Sequence, residues 1–274
     1  MFRNFAGAAG LILVAGLTAA DGIYSTAGAQ ELNGRQILDQ AAERHERDFE
    51  REVQKMTLID KGAAKEEREL RRYARRTDGN YRYLLVFHSP SGVKGSALLT
   101  WQNKDKADDQ WLYLPAMGDK MKRVAEGGRK NYFMGTDYTY EDLVSESRDK
   151  FEYKRLPDET LDGVAHYVVE AVATDQTVKK ETGYGSRKLW VRKDTFFIAR
   201  TDYFDKRGKL IKRQTTGKIS AVDGTAWRAA FTRMENFQEN HVTEVEVTGR
   251  DLTDAAVKPD IFRERYVTSG QHIR

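Results

Sequence analysis

Cysteine is absent from the 274 residues. That excludes disulfides, thiol nucleophiles and thiolate metal sites, and it leaves no cysteine to be acylated, so if the chain handles lipid it does so as a soluble body. A large excess of one charge is also missing. The 46 Lys and Arg nearly balance 42 Asp and Glu, for a formal net charge of +4, and no long basic run stands out, so nucleic acid is not an expected partner. The short cluster Arg71, Arg72, Arg75 and Arg76, interrupted by Tyr73 and Ala74, reads as a solvated strand or hairpin face. Its functional alternative is attraction to anionic lipid or to an acidic partner. Motif-grade Ser/His/Asp arrangements, phosphate-binding glycine loops and His-rich metal spacings are lacking, so no cofactor, metal or enzymatic activity is expected. His45 is read as a partly buried helix residue, because no second ligand pairs with it at metal spacing. A second apolar run long enough to span a bilayer is lacking too.

The chain opens on Arg3, the small-residue apolar stretch from Phe5 to Ala20, and Ala27-Gly28-Ala29. This is the pattern of an export signal, expected to be cleaved between Ala29 and Gln30. Residues 1–29 are therefore excluded from the fold. The remainder, 30–274, is expected to be exported and to form one domain.

After it, Asn33 and Gln36 form a capping-box pair. Ile37, Leu38, Ala41, Ala42, His45 and Phe49 recur at helical spacing among charged residues, which predicts an amphipathic helix needing an apolar surface to lie on. From Val53 the period changes to two. About a dozen strands follow, punctuated by Asp-Gly and Arg-Gly turns. Neither strand–helix–strand alternation nor an internal repeat appears, so the fold class is mainly β with helices (α+β). The expected architecture is one large curved antiparallel sheet, an incomplete β-barrel, with the first helix as its lid. Asn131 to Val144 follows neither period and is read as an ordered loop with a short helical turn.

Three motifs in the middle of the chain carry a resemblance. Pro90 to Leu99 (PSGVKGSALL) includes Gly95. Gln110 to Met117 (QWLYLPAM) includes Trp111, Tyr113 and Pro115, and is followed by Lys122-Arg123-Val124. Phe133 to Leu143 (FMGTDYTYEDL) includes Gly135, Asp137, Tyr140 and Asp142. In this order they resemble the outer-membrane lipoprotein-sorting proteins, similar in fold to LolA and LolB, in a non-classical branch, over roughly residues 50–268. The resemblance implies an incomplete barrel with a helical lid, an apolar cavity and a periplasmic location. It also implies work beside RND-type lipid exporters.

The function expected on these grounds is a periplasmic carrier. It would bind the acyl chains of a lipid or lipoprotein in an apolar cavity and move them towards the outer membrane. The expected partners are an inner-membrane RND-type transporter or an outer-membrane acceptor, and a monomer is expected. The candidate wall residues are Leu85, Phe87, Leu98, Trp101, Leu112, Leu114, Phe231 and Met234. Alternation alone does not say which face of each strand is inward. Trp111 and Tyr113 alternate with Leu112 and Leu114, so one of the pairs forms an aromatic patch on the sheet's back. The alternative to a carrier is a cargo-free adaptor of an exporter or envelope complex, its hollow filled by its own side chains. A third reading makes Asp137, Tyr140 and Asp142 acid–base residues of an enzyme. Against it, the two aspartates are expected to accept backbone N–H bonds and fix the loop, with Arg123 pairing with one of them. A further reading has this loop exposed to meet a membrane partner. Nothing in the sequence brings His166 or His241 to it.

Overall fold

The computed structural model describes residues 31–104, 106–174 and 176–274. The expected signal segment and its cleavage point lie outside the described residues. From Leu32 to Arg274 the chain is one compact unit.

The first helix, α1 (Gly34–His45), starts as its sequence dictates. The Asn33 side chain accepts the Gln36 backbone N–H, and the Gln36 side chain accepts from the Asn33 backbone in return. Among the described residues thirteen strands follow: β1 (Phe49–Ile59), β2 (Lys65–Thr77), β3 (Asn80–Ser89), β4 (Ala97–Trp101), β5 (Asp109–Tyr113) and β6 (Lys122–Arg123), then β7 (Phe151–Leu161), β8 (Val164–Ala173), β9 (Ser186–Arg192), β10 (Ile198–Phe204), β11 (Leu210–Asp223), β12 (Ala226–Asn236) and β13 (His241–Asp251). They form a single antiparallel sheet in the order β6-β5-β4-β3-β2-β1-β13-β12-β11-β10-β9-β8-β7. Two meanders are thus joined where the first and last strands pair. The outermost strands, β6 and β7, do not pair with each other, so the sheet is not closed into a barrel, as expected.

Phe49 departs from the helical stripe assigned to it. It opens β1 opposite Arg75, whose guanidinium lies 4.8 Å from its ring centroid. Sheet pairing captures it where the helix ends at His45.

Alternation separates the faces. On β1, Glu50, Glu52, Gln54, Met56 and Leu58 are buried and their neighbours are not. Through the registers this parity continues into Leu70, Arg72 and Ala74 on β2, Tyr81, Tyr83, Leu85 and Phe87 on β3, and Met234 on β12. We call this the inner face. It carries α1, whose Ile37, Leu38 and Ala41 pack on Val169, Ala171, Leu189 and Val191 of β8 and β9. Gly34 is required there, because a Cβ would sit 2.8 Å from the Tyr153 carbonyl oxygen.

The outer face is apolar along β3 to β5. There Leu84, Val86, Ala97 and Leu99 are covered by Val257, Phe262 and Val267 of the C-terminal segment, which includes the short helix α3 (Glu264–Thr268). Trp101, Trp111 and Tyr113 belong to this face. The Trp101 indole N–H donates to the Phe262 carbonyl at 2.9 Å. The aromatic patch therefore exists on the back of the sheet, but it is covered by the chain itself.

Candidate functional site

The link between β6 and β7 must travel from one edge of the sheet to the other, and it does so across the inner face. Met134 and Gly135 adopt φ of 50° and 75°, a left-handed turn that Gly135 makes without strain. Either side of this turn, Phe133 and Tyr138 pack against Met56, Leu58, Leu70, Leu85, Phe87 and Met234. The expectation of an exposed loop is thereby corrected. Phe133, Thr136, Asp137, Tyr138 and Thr139 are all buried, because the segment serves as the filling of the half-barrel.

Polar side chains hold this plug. Lys212 on β11 is fully buried and donates to the Asp137 carbonyl at 3.1 Å and to Asp142 Oδ2 at 2.6 Å. The rings of Tyr184 and Tyr203 each lie 5.0 Å from its ammonium. Asp142 also accepts the Thr139 backbone N–H and the Tyr184 hydroxyl. Asp137 accepts the Thr243 hydroxyl and contacts His241 Nδ1, both at 2.7 Å. Asp142 thus accepts a backbone N–H as expected, but the Asp137 carboxylate is engaged by side chains. Arg123 pairs with Asp109 at 2.5 Å, not with either loop aspartate. His241 does reach the loop, across 104 residues. Asp137, Asp142 and Tyr140 do not form an open cleft: the aspartates are tied into the core, and the Tyr140 ring packs edge-on against Phe133 at 5.4 Å. Burial pushes the Tyr138 hydroxyl up to about 12 and holds Tyr184 and Tyr203 well above the ordinary tyrosine range.

Towards the other end of the same strands the inner face is left hollow. A cavity of about 380 Å³ lies between α1, the sheet and residues 141–148. Leu38, Ala41, Ala74, Leu189, Ile198 and Val144 give it apolar walls, and Glu50, Arg72, Arg187 and Arg228 give it charged ones. Arg228 grips Glu50 with two hydrogen bonds, at 2.9 and 3.2 Å. Burial raises the Glu50 carboxyl, but the Arg228 hydrogen bond and the charges of Arg228, Arg72 and Arg250 outweigh it and hold the group below its usual range. The arginine cluster on β2 is therefore not one solvated face. Arg72 lines the cavity, while Arg75 on the opposite face pairs with Asp254. His45 sits at the lid's end. It accepts the Trp227 backbone N–H at Nδ1 (3.1 Å), so its Nε2 carries the proton and donates to the Thr195 carbonyl at 3.0 Å.

None of the eight expected wall residues lines this cavity. Leu85, Phe87, Leu98 and Met234 are packed around the plug, with Leu112 against them. Trp101 faces the opposite side of the sheet. Phe231 cannot share a wall with Met234, because they stand at odd separation on one strand. Leu114 lies just past the end of β5. Of the motif residues, Gly95 contributes its carbonyl to His272 at 2.9 Å, and Pro115 begins a short 3₁₀ turn. The motifs thus build the sheet and its plug; of their residues Glu141 and Asp142 reach the hollow, and the rest of its lining lies outside them. Reading the inner face as one strip at each strand's cavity end would have found Arg72, Ala74, Tyr81 and Tyr83.

A family model described as uncharacterized protein-like matches residues 79–269. No protein with a curated description matches the chain by sequence. Among solved structures, a domain from Vibrio parahaemolyticus provisionally described as an outer membrane lipoprotein-sorting protein domain is 26% identical, with a TM-score of 0.80, covering 86% of this chain and 98% of that one. A DUF1329 family protein from Desulfovibrio piger is 25% identical, with a TM-score of 0.75, over 84% of this chain and 98% of that one. A LolA superfamily protein from Nitrosomonas europaea shares the fold at 18% identity, with a TM-score of 0.68, over 86% of this chain and all of that one (100%).

Proposed function

The chain belongs to the uncharacterized protein-like family whose model spans 79–269, its fold is LolA-like, and from that premise we propose that it is a periplasmic carrier holding the hydrocarbon of a lipid or lipoprotein beneath α1. The observation that supports this is the cavity itself, of a size that small-molecule sites commonly have. Its apolar walls are supplied by the helix and by β9 and β10. Each methylene taken from water there contributes roughly 0.8 kcal/mol, so burial alone drives uptake and no covalent step is needed. The space corresponds to about a dozen water-sized groups, enough for part of one acyl chain rather than several. Delivery towards the outer membrane, and exchange with an RND-type transporter or an outer-membrane acceptor, follow from the same reading.

A cargo-free adaptor is the second reading. It draws on the plug, because Phe133 and Tyr138 fill the central hollow with the chain's own side chains. The two readings part on mass spectrometry of organic extracts from protein purified out of its native periplasm. A carrier yields one lipid class near one equivalent. Nothing above an unrelated periplasmic control overturns the carrier and leaves the adaptor.

A further inference from the structure

Five arginines line the cavity: Arg47, Arg72, Arg148, Arg187 and Arg228. Four of them are hydrogen-bonded to a carboxylate. Arg47 holds Asp223 at 3.0 Å, Arg148 holds Glu46 at 2.7 Å, Arg228 holds Glu50 at 2.9 Å, and Arg187 holds Glu146. Arg72 differs. Its nearest carboxylate oxygen is Glu52 Oε2 at 3.9 Å, beyond hydrogen-bond reach. That oxygen already accepts from Gln54 at 2.7 Å, and the other Glu52 oxygen accepts from Arg250 at 2.7 Å. The guanidinium lies over the Tyr83 ring, 5.1 Å from its centroid. With its face so occupied, its N–H edge remains for the hollow.

Around Arg72 the charges do not cancel. In this cluster Glu50 and Glu52 supply two negative charges against three positive ones from Arg72, Arg228 and Arg250, so one positive charge is in surplus at Arg72, although over the whole lining five carboxylates match five arginines. A partly buried guanidinium without an acceptor is costly, and its planar fork matches an anion presenting paired oxygens. Leu38, Ala41, Leu189 and Ile198 offer an apolar wall in the same cavity.

We infer that the cavity takes a single-chain anionic amphiphile, its carboxylate or phosphate head on Arg72 and its tail beneath α1. This rests on the carrier reading and narrows it.

The test is calorimetric titration of the purified protein, below micellar concentrations, with dodecanoate, dodecyl phosphate, dodecanol and inorganic phosphate. Both anionic amphiphiles are expected to bind at least about tenfold tighter than dodecanol, as charge-assisted hydrogen bonds imply. The tighter of the two identifies the head. Arg72→Gln should abolish the preference, bringing the anionic amphiphiles to the affinity of dodecanol for the same variant, and Arg72→Lys should keep part of it. If Arg72→Gln does not fold, the wild-type comparison and Arg72→Lys decide. Equal binding of dodecanol and dodecanoate, or a preference that survives Arg72→Gln, overturns the inference and leaves the carrier intact. Inorganic phosphate binding as tightly as dodecyl phosphate overturns the amphiphile in favour of a free anion. Binding of no amphiphile, with lipid still extracted from native protein, overturns the inference alone; with no lipid extracted, both readings fall.

Discussion

The two ends of the inner face are built by the same strands and finished in opposite ways. At one end Met56, Leu58, Leu70 and Phe87 meet Phe133 and Tyr138, and the half-barrel is solid. At the other, Glu50, Arg72, Tyr83 and Arg228 surround open space beneath a helix. The change happens within single strands. β1 passes from Glu50 and Glu52 to Met56 and Leu58, and β3 from Tyr81 and Tyr83 to Leu85 and Phe87, in steps of two that stay on one face. Burial is thus a property of the whole inner face, whereas hollowness depends on what is laid over it: a returning loop at one end and a helix at the other.

If the packed end is as tightly determined as it looks, Lys212→Met should destabilise the protein by about 3–5 kcal/mol, because it strands the buried Asp142 carboxylate. The double variant Lys212→Met/Asp142→Leu should recover most of the loss in urea denaturation. A small effect from the single change would mean the plug is held by packing alone. Phe133→Ala comes next, at about 3 kcal/mol or more for a fully enclosed ring. Its hollow-end counterpart, Tyr83→Phe, removes the hydroxyl that donates to Ser145 Oγ and accepts the Ser145 backbone N–H, and should cost about 1–2 kcal/mol. Similar losses for the two would erase the contrast.

The lid should respond to acid. Burial lowers the pKa of His45, and the positive charges of Arg228 and Arg44 add to this, against the raising effect of the Thr195 carbonyl. The unfolded or undocked state therefore takes the proton first. The stability His45 contributes is present above the ordinary histidine range and is lost as pH falls through and below it. Protection factors of the α1 amides, which correct for the intrinsic slowing of exchange in acid, should be lower at pH 5 than at pH 7, and His45→Gln should flatten that difference; equal protection at both pH values would remove His45 as the lid's fastening. The smallest effect on stability is expected from Ala42→Trp, at about 1 kcal/mol or less, since Ala42 is half-buried at the cavity edge. Its effect on lipid uptake should nonetheless be a clear loss, measured by the same extraction; unchanged uptake would place the cargo elsewhere.

Much of the fold was legible because it is local. The Asn33–Gln36 box caps the helix within four residues. The Asp-Gly turns at 162–163 and 223–224 close their hairpins between adjacent strands. The site was much less legible. Phe231 and Met234 both read as wall residues by composition, yet two side chains three apart on a strand face opposite ways. Leu85 and Leu98 stand opposite each other on one face, a register that the sequence does not give, and the plug that covers them comes from 131–144 and crosses the sheet. The partnership of Asp137 with His241 spans 104 residues and leaves no trace in spacing.

The sequence by itself determined the helix, the strands, their antiparallel hairpins and the motifs of the plug, since caps, turns and two-residue alternation act between neighbours in the chain. Only the tertiary structure decided which face is inner, where it is filled and where it is hollow, and that Arg72 alone among the cavity arginines lacks a hydrogen-bonded carboxylate. The physical reason is that an alternating strand offers two locally equivalent faces, and the choice between them belongs to segments arriving from far along the chain.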